Sequence, residues 1–511
     1  MPAPQLFSEI LDAVGGTWIG GPDDPSISQV TSDSRQATEG TLFVAIKGEA
    51  RDGHDFVEAA RRTGASAVLV LSERSESKWT SKVAVGEVDD TRKALSLIAA
   101  MLWGPLPSPL DRRVVGVTGT NGKTTTCYIM ESILAAADGK PGILGTVNYR
   151  VGETVLPAPL TTPSPELLWQ TLGRMQEKGS THVVMEVSSH ALAQYRVDGL
   201  PYAVAGFTNL SQDHLDYHKT WDDYLAAKAR LFTELLAPDG RAVLPAGEEA
   251  TATIQKSCKS PIWTYSVDPD VPGDIAVTQS DIGLHGIHAT LQTPVGELSF
   301  ESPLLGDFNL KNLVLACGLA LALEVPVEAI QKGIKNLHNI PGRMDRIASP
   351  AGFQAVVDYA HTPDALVNIV RSLRPLCEKR LITVFGCGGD RDTTKRKPMG
   401  EAAAEGSDLC IVTSDNPRTE DPQAIVDQIV EGVKLHHEPL RLFSTPSEDD
   451  RGYAVELDRR KAIQKAIEWA REGDIVLIAG KGHEDYQVVG TKKYPFDDRR
   501  IAQQAIDSSA K

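Results

Sequence analysis

The chain has 511 residues, of which 41% are hydrophobic and 23% charged, and its formal net charge at pH 7 is −16. This composition is that of an ordinary globular protein, and the length allows about two to four domains. The acidic balance argues against nonspecific nucleic-acid binding, which needs clustered Lys and Arg. An anionic substrate remains possible if local groups hold it.

The six cysteines include no C-x-x-C pair, so the chain predicts neither a disulfide framework nor a cysteine metal site and suits a reducing compartment. The N-terminal segment lacks the basic and then apolar order of a signal peptide. No run of about eighteen apolar residues is present. We therefore expect a cytoplasmic protein without membrane insertion, and a monomer.

The N-terminal segment, residues 1–108, predicts a small α/β domain. Short strands are expected at 42–48, 66–72 and 82–88. A helical pattern follows at 90–103, and the Pro-rich stretch 104–113 is the first candidate linker.

The central segment, residues 109–342, opens with the β-branched run VVGVT, a Gly-rich turn and a helical pattern. Two further buried strands are expected at 182–189 and 202–210. Strands that alternate with helices predict a parallel sheet. Residues 260–305 predict an antiparallel excursion, and helical patterns return at 309–323 and 326–337.

The C-terminal segment, residues 343–511, shows a second βα alternation, with strands expected at 353–359, 380–386, 408–414 and 474–480. The fold class is therefore α/β in three domains: a small N-terminal domain, a central parallel sheet of the P-loop ATPase type and a Rossmann-like C-terminal domain. Ligands of such sheets bind beyond the carboxyl ends of the strands. In this chain, polar motifs lie at the carboxyl ends of the predicted strands.

A phosphate-binding loop is predicted between the first central strand and its helix. Its residues are Gly119, Thr120, Asn121, Gly122, Lys123, Thr124 and Thr125. Backbone N–H groups and a helix N-terminus can surround phosphate oxygens, Lys123 would neutralise them and the Thr124 hydroxyl would bind Mg²⁺. The strict motif has Gly where this chain has Val117, so a plain Gly-rich turn is the alternative.

Candidate metal ligands follow the next strands. Glu186 ends one strand, and Asp213, His214, Asp216 and His218 follow another. They favour a metal site over a solvated loop. The stretch 221–236 predicts an amphipathic helix. Its core candidates are Trp221, Leu225, Leu231 and Leu235, and periodicity alone makes Lys228 a surface residue.

A series of motifs then becomes specific: GTNGKTTT, MEVSSHAL, NLSQDHLDYH, AAKARLF, PGRMD, DYAHTPDAL, GGDRD, SDNPR and GKGHEDYQ, in that order. Together they resemble the Mur ligase family. The resemblance implies an ATP-dependent ligase of peptidoglycan precursor synthesis, in which the N-terminal domain binds the UDP substrate, the central domain ATP and the C-terminal domain the amino acid. The implied reaction joins meso-2,6-diaminopimelate to UDP-N-acetylmuramoyl-L-alanyl-D-glutamate through an acyl phosphate.

The resemblance also implies roles for residues. Catalysis would use Lys123, Glu186, His214 and Lys228, with Mg²⁺ held by Thr124, Glu186, His214 and a Lys228 carbamylated by CO₂. Further ATP contacts would come from Asn309, Arg343 and Asp358, and Asn312 lies in the same segment. The UDP substrate would contact Ser32, Ser34, Glu49, Ala50, Arg51, Thr161, Thr162, Ser188, Gln194 and Arg196. Diaminopimelate would contact Arg391, Asp415, Asn416, Pro417, Arg418, Gly480 and Glu484.

Arg418 bears on which amino acid is added. A guanidinium grips a carboxylate with two parallel hydrogen bonds, and diaminopimelate carries one carboxylate more than lysine. The alternatives are a lysine-adding ligase and, more remotely, a folylpolyglutamate-type ligase. A kinase or GTPase switch would need a base-reading motif that we do not find. A nonenzymatic scaffold would have lost some of Lys123, Glu186, His214 and Lys228.

Overall fold

The structure is a computed structural model that describes residues 4–48, 51–74, 79, 82–211, 213, 215–338, 340–439, 446–447 and 449–509. The candidate residues Glu49, Ala50 and His214 lie outside this part of the chain, as does the side chain of Asp216. Two compact units are present: Met1–Ala276 with Val314–Gly333, and Val277–Leu313 with Ile334–Lys511. Within the described ranges, no helix combines the length and apolarity that crossing a membrane requires.

The first unit begins with an α/β layer. Its strands are β1 Gln5–Leu6, β2 Thr17–Gly20, β3 Ser26–Ile27, β4 Gln29–Thr31, β5 Thr41–Val44, β6 Ala67–Leu71 and β7 Ala84–Val88. Its helices are α1 Phe7–Val14, α2 Val57–Thr63 and α3 Thr91–Trp103. Five strands form one sheet in the order β2-β7-β6-β5-β4, parallel except for β2. The three strands predicted here and the helix at 90–103 are confirmed, and the Asp90 carboxylate caps that helix.

The same unit holds a larger sheet. Its strands are β8 Val114–Thr118, β9 Pro141–Leu144, β10 Tyr149–Val151, β11 Thr154–Leu156, β12 His182–Glu186, β13 Tyr202–Phe207, β14 Leu236–Pro245 and β15 Ile262–Ser266. Its helices are α4 Lys123–Ala136, α5 Pro165–Glu177, α6 Ser189–Ala193, α7 Leu215–His218, α8 Trp221–Arg230 and α9 Glu249–Ser257. The strand order is β11-β10-β9-β12-β8-β13-β14-β15. All five residues of β8 are buried, as expected of a parallel strand covered on both faces.

Two predictions about this region are wrong. Strand β15 pairs in parallel with β14 and with the start of the next strand, β16 Ile275–Gly283, so the antiparallel excursion begins later than expected. Trp221 is 42% exposed and is not a core residue. The buried face of α8 is formed by Tyr224, Leu225, Ala227 and Lys228. The predicted face was read across 221–236, whereas α8 ends at Arg230 and a π-helical turn, Leu231–Leu235, follows, so one helical period does not hold across that stretch.

The second unit contains an antiparallel hairpin, β17 Gly286–Thr293 and β18 Gly296–Ser302. A six-stranded sheet follows in the order β19-β20-β24-β21-β22-β23, parallel except at β19. Its strands are β19 Asp345–Ala348, β20 Gln354–Asp358, β21 Leu381–Phe385, β22 Leu409–Val412, β23 Gly452–Val455 and β24 Ile475–Ala479. A last hairpin joins β25 Tyr486–Val489 to β26 Lys492–Pro495. All four strands predicted for this segment are confirmed, whereas β19 and β23 were not foreseen.

The remaining helices of the chain are α10 Asp307–Ala322, α11 Val327–Lys335, α12 Pro363–Leu373, α13 Arg396–Gly406, α14 Pro422–Val433, α15 Arg459–Trp469 and α16 Asp498–Ser509. A fully buried ion pair ties two of them together: the Arg459 guanidinium donates to both carboxylate oxygens of Asp498, on α16. The α/β fold class is confirmed by this architecture.

Candidate functional site

The predicted phosphate loop lies between β8 and α4. Gly119 and Gly122 adopt φ angles of 138° and 86°, which favour glycine. Lys123 is the first residue of α4, and its ammonium donates to the carbonyl oxygens of Gly119 (2.9 Å) and Thr120 (2.8 Å). The loop thus presents a helix N-terminus and a lysine beside its own backbone, an arrangement suited to an anionic phosphate group.

Residues that follow β13 hold this loop in place. The Thr120 N–H donates to the Asn209 carbonyl oxygen at 2.9 Å, and the Thr208 hydroxyl donates to the Asn121 carbonyl oxygen at 2.6 Å. A Cβ on Gly119 would overlap the Thr208 hydroxyl oxygen. The shape of the loop therefore depends on a strand that lies far from it in sequence.

Glu186 occupies the end of β12 beside the loop and is 1% exposed. The Thr124 hydroxyl lies 2.9 Å from both of its carboxylate oxygens. Thr146 donates to the same carboxylate from its backbone N–H (2.7 Å) and its hydroxyl (2.9 Å). Thr146 was not predicted. The signal available in the sequence is only that it follows strand β9.

The pair formed by Thr124 and Glu186 fits a magnesium ion. A hydroxyl oxygen and a carboxylate oxygen are the hard ligands that Mg²⁺ prefers, and both lie next to the phosphate loop. When bound there, Mg²⁺ would neutralise phosphate oxygens. Among the described residues, no group of three or more His, Cys, Asp or Glu side chains that could hold a metal ion includes Glu186.

Lys228 is not the surface residue that periodicity predicts. It is 1% exposed, and its ammonium donates to the Gly119 carbonyl oxygen at 2.8 Å, next to the bond from Lys123. Burial lowers the pKa of Lys228 well below its ordinary value, and the positive charge of Lys123 lowers it further. Asp213 partly offsets this effect. The charged form of Lys228 is therefore disfavoured beside the phosphate loop.

His218 was a candidate metal ligand, and the structure gives it other neighbours. Its side chain is 7% exposed, its Nε2 lies 3.0 Å from the Ser189 hydroxyl, and its ring packs against Tyr224 with centroids 5.1 Å apart. The Tyr224 hydroxyl in turn lies 3.0 Å from the Thr120 hydroxyl. In this conformation His218 belongs to a polar and aromatic layer under the phosphate loop.

Several candidates for the UDP substrate come together around the end of β12. The Thr162 hydroxyl donates to the Glu186 carbonyl oxygen at 2.8 Å and accepts the Ser188 N–H at 3.0 Å. The Ser188 hydroxyl accepts the Ala191 N–H and so caps α6. The Thr161 hydroxyl lies 3.1 Å from that of Thr146. The sequence candidates 161, 162 and 188 therefore share one network with Glu186.

Arg196 is half-buried and oriented by its neighbours. Its guanidinium donates to Gln194 Oε1 at 2.6 and 3.0 Å and to the Thr162 carbonyl oxygen at 3.2 Å. Both acceptors are neutral. Burial lowers the pKa of Arg196, and nearby Arg92 lowers it further. A guanidinium held in this way is suited to a substrate carboxylate or diphosphate.

The N-terminal candidates lie farther along the same unit. Ser32 donates its N–H (2.9 Å) and hydroxyl (2.8 Å) to the carboxylate of Glu166, which was not predicted. Ser34 begins a short 3₁₀ helix, Ser34–Gln36, and Arg51 is exposed. The contact between Ser32 and Glu166 brings the N-terminal sheet to the start of α5.

In the second unit, the loop after β22 carries Asp415, Asn416, Pro417 and Arg418. Arg418 adopts φ 52°, and its guanidinium donates to the Gly389 carbonyl oxygen at 2.7 Å. Arg391 is exposed two residues after that glycine. Arg418 is itself only half-buried, so its guanidinium is available to a ligand.

The loop after β24 meets the same region. Asn416 Nδ2 donates to Glu484 Oε2 at 2.9 Å, and a Cβ on Gly480 would lie 2.8 Å from an Asp415 carboxylate oxygen. Lys481 lies between them and was not predicted, although the quoted motif GKGHE contains it. The structure therefore brings together Asp415, Asn416, Arg418, Gly480 and Glu484.

The three further candidates for ATP contacts lie in the second unit. Asn309 is 1% exposed and donates to the Leu305 carbonyl oxygen at 2.8 Å, so its amide serves the local structure. The guanidinium of Arg343 stacks over the ring of Tyr359 at 4.9 Å. Asp358 accepts the N–H groups of Met344 and Ala360, both at 2.8 Å, and burial raises its pKa.

Comparison with known proteins matches three sequence models in succession: a Mur ligase family catalytic domain at residues 26–102, a Mur ligase middle domain at 117–320 and a Mur ligase glutamate ligase domain at 342–482. The chain belongs to the Mur ligase family. The resemblance stated from the motifs is thereby confirmed, and with it an ATP-dependent ligase.

Individual relatives align with this chain over nearly its whole length. The UDP-N-acetylmuramoyl-L-alanyl-D-glutamate–2,6-diaminopimelate ligase of Geobacter metallireducens is 44% identical, with 96% of each chain covered. The protein of the same name from Gloeobacter violaceus is 43% identical over 99% of each chain. A solved structure of a ligase with this name aligns over 100% of both chains at 32% identity and a TM-score of 0.69.

Proposed function

We propose that this Mur ligase joins meso-2,6-diaminopimelate to UDP-N-acetylmuramoyl-L-alanyl-D-glutamate and converts ATP to ADP and phosphate. The observation that carries the proposal is the half-buried Arg418 guanidinium beside the Gly389 carbonyl oxygen, next to the cluster of Asp415, Asn416 and Glu484. Relatives with the matching name at 43–44% identity over nearly their full length support it.

The chemistry begins with a carboxylate, which is a poor acyl donor. A carboxylate oxygen of the substrate attacks the γ-phosphorus of ATP, the bond to the bridging oxygen breaks, and ADP leaves. Phosphoryl transfer of this kind depends mainly on placement and charge neutralisation. Lys123 at the start of α4 supplies positive charge beside the phosphate loop. It thereby offsets the repulsion between the triphosphate and the carboxylate.

The resulting acyl phosphate then reacts with an unprotonated amine of the amino acid. The nitrogen attacks the acyl carbon, the amine proton is lost, and phosphate leaves as the amide forms. Thr124 and Glu186 would hold Mg²⁺ during the first step, and Thr146 orients the Glu186 carboxylate. His214 is kept as a proposed further ligand.

We further propose that Lys228 is carbamylated. Its neutral amine adds to CO₂, a nitrogen–carbon bond forms, and one proton is released, so that a neutral side chain becomes an anionic oxygen ligand. The depressed pKa of the buried amine favours this reaction, since only the unprotonated nitrogen is a nucleophile. Its position against Gly119 supports the proposal, because the product would then lie beside the phosphate loop.

The UDP substrate is proposed to bind where Ser32, Thr162, Ser188 and Arg196 lie in the first unit. Arg196 would bind an anionic group of the substrate, because its present acceptors are the neutral oxygens of Gln194 and Thr162. Ser34 and Arg51 are kept as proposed contacts on the N-terminal sheet. The phosphate loop of the first unit is kept as a proposed ATP contact. We also keep three residues of the second unit as proposed ATP contacts: Asn309, Arg343 and Asp358.

The three functional segments 1–108, 109–342 and 343–511 are kept as a proposal. The matches at 26–102, 117–320 and 342–482 support this division. Because ATP and UDP-linked precursors are used together in the cytoplasm, that location also remains our prediction.

One experiment tests the proposal directly. ATP, Mg²⁺ and the UDP-muramoyl dipeptide are supplied, and phosphate release is measured with meso-diaminopimelate, with L-lysine and with no amine. We expect turnover with diaminopimelate that exceeds turnover with lysine by at least about 100-fold, since an unfilled Arg site is costly. Equal or greater turnover with lysine would identify the runner-up, a lysine-adding ligase.

A matched variant tests the role assigned to the guanidinium. Arg418→Lys keeps the charge and removes the two-pronged geometry. We expect the KM for diaminopimelate to rise at least about tenfold while the KM for ATP stays unchanged. Arg500→Lys, an exposed arginine on α16, is the control.

A further inference from the structure

Lys481 has an environment that the proposed function does not yet use. It follows Gly480 after β24, and its side chain is 0% exposed. Its ammonium donates to Asn416 Oδ1 at 3.1 Å and to Glu484 Oε2 at 3.0 Å, and it lies 3.5 Å from Asp415 Oδ1. A fully buried ammonium in such a position requires ionic partners, and two carboxylates supply them.

The charges of this cluster do not balance. Asp415 and Glu484 bring two negative charges and Lys481 brings one positive charge. The nearby Arg459 does not close the difference, because its guanidinium is already paired with the buried carboxylate of Asp498. One negative charge is left over in a buried setting, and such a charge is costly unless a cation joins it.

One polar atom of the cluster also lacks a partner. Asp415 Oδ1 is buried and accepts no hydrogen bond from the described residues, its contact with Lys481 at 3.5 Å being an ion pair only. Native proteins rarely leave a buried carboxylate oxygen unsatisfied without a functional reason. A ligand ammonium would satisfy both the missing hydrogen bond and the missing charge.

The cluster and Arg418 are joined through one residue. The Val488 N–H donates to Asn416 Oδ1 at 2.8 Å, and the Val488 carbonyl oxygen accepts the Arg418 N–H at 3.1 Å. Val488 thus fixes both the Asn416 side chain and the Arg418 backbone, while the Arg418 guanidinium lies at the Gly389 carbonyl oxygen. A cation acceptor and a guanidinium on one loop match the ammonium and the carboxylate of one amino-acid centre.

We propose that Lys481 is a positioning residue for the amino-acid substrate: its buried ammonium fixes Asn416 and Glu484 and leaves the cluster with one net negative charge that holds an ammonium group of the ligand. This inference rests on the proposed function. The amine that attacks an acyl phosphate must be unprotonated, so the ammonium held here belongs to the other, nonreacting end of a diamino acid. The same end offers its carboxylate to Arg418.

The test compares Lys481→Met and Lys481→Gln with wild type in the full-length enzyme. Phosphate release is measured at saturating ATP and UDP-muramoyl dipeptide while meso-diaminopimelate is varied. Both variants lose the charge, and the glutamine keeps a hydrogen-bond donor. We expect both to raise the KM for diaminopimelate at least about tenfold, to change kcat less and to leave the KM for ATP unchanged. Lys434→Met, an exposed lysine after α14, is the matched control.

The split between KM and kcat separates positioning from mere structural support. Loss of the Lys481 ammonium releases Asn416 and Glu484, so the KM for diaminopimelate is expected to rise while kcat and the KM for ATP change little. A merely structural defect would instead lower the fraction of folded enzyme, so kcat would fall while the KM for diaminopimelate stayed unchanged.

The outcomes are distinct. An unchanged KM for diaminopimelate in both variants overturns the inference, and so does a fall in kcat alone accompanied by a lowered unfolding temperature, which means structural support alone. If wild type itself shows no stimulation by diaminopimelate, the proposed function fails instead. A variant that does not fold is recognised by its thermal unfolding curve, and the second variant then decides.

Discussion

Replacing Lys228 by methionine separates the chemistry of this buried lysine from its contribution to stability. The substitution keeps the side-chain volume in a site that is 1% exposed. It removes one hydrogen bond, to the Gly119 carbonyl oxygen, which is a loss of about 1 kcal/mol. It also removes a polar amine whose charged form is disfavoured by burial, which offsets part of that loss. Gly119 keeps its hydrogen bond from Lys123.

The expected unfolding temperature of Lys228→Met is therefore within about 4 °C of wild type, because 1 kcal/mol shifts a unit of this size by roughly 2–4 °C. Activity behaves differently. If a carbamate at this position assists phosphoryl transfer, its loss is comparable to the loss of one preorganised electrostatic group, a factor of about 100 to 1,000 in kcat. A normal unfolding curve with collapsed turnover is the expected result.

The assay is amine-dependent phosphate release at saturating substrates, with thermal unfolding measured on the same preparation. Lys256→Met, an exposed lysine on α9, is the matched control and is expected to leave both readouts unchanged. In Lys228→Ala, which leaves space, a short-chain carboxylic acid or high bicarbonate is expected to restore part of the rate. Turnover of Lys228→Met within about twofold of wild type would refute the reasoning.

Three further outcomes are expected. Glu186→Gln keeps the shape of the group that faces Thr124 but removes its charge, so kcat/KM is expected to fall at least about 100-fold in the phosphate-release assay. Arg459→Met leaves the buried carboxylate of Asp498 without its cation, which costs about 3–5 kcal/mol and lowers the unfolding temperature by roughly 10 °C in calorimetry. Burial lowers the pKa of His182 from 6.5 to about 4. Between these pH values the unfolded chain binds a proton at His182 that the native chain does not bind, so the free energy of unfolding falls as the pH drops. Urea unfolding at pH 7 and pH 5 measures this fall, which is expected to be smaller in His182→Asn than in wild type.

The fold was predictable wherever a local pattern determined it. Strand β8 is a β-branched run buried on both faces, and the glycines that follow it allow the turn into α4. Because the carboxyl ends of parallel strands share one edge of a sheet, the placement of Glu186 beside the phosphate loop also followed from the sequence. For the same reason, the position of each motif at the end of a strand indicated which residues could lie near a ligand.

What escaped prediction depends on contacts that are distant in sequence. Thr146 holds the Glu186 carboxylate across 40 residues, and Glu166 accepts both bonds from Ser32 across 134 residues. No local sequence pattern predicts hydrogen-bond partners that are so distant in the chain. Trp221 was assigned to a core because one helical period was extended through a stretch that contains a π-helical turn. Periodicity describes a regular helix, and it fails where the backbone departs from one.

The burial and the charged surroundings of Lys228 and Lys481 cannot be predicted from periodicity or composition. Both lysines are buried, at 1% and 0% exposure. The partner of Lys228 is a carbonyl oxygen, with the cation of Lys123 nearby, so its surroundings disfavour the charged form. The partners of Lys481 include the carboxylates of Glu484 and Asp415, with which it forms ion pairs. Under the proposals made above, one residue type would serve as a nucleophile toward CO₂ in the first unit and as a fixed cation in the second. The difference lies in the neighbours, which only the folded chain brings together.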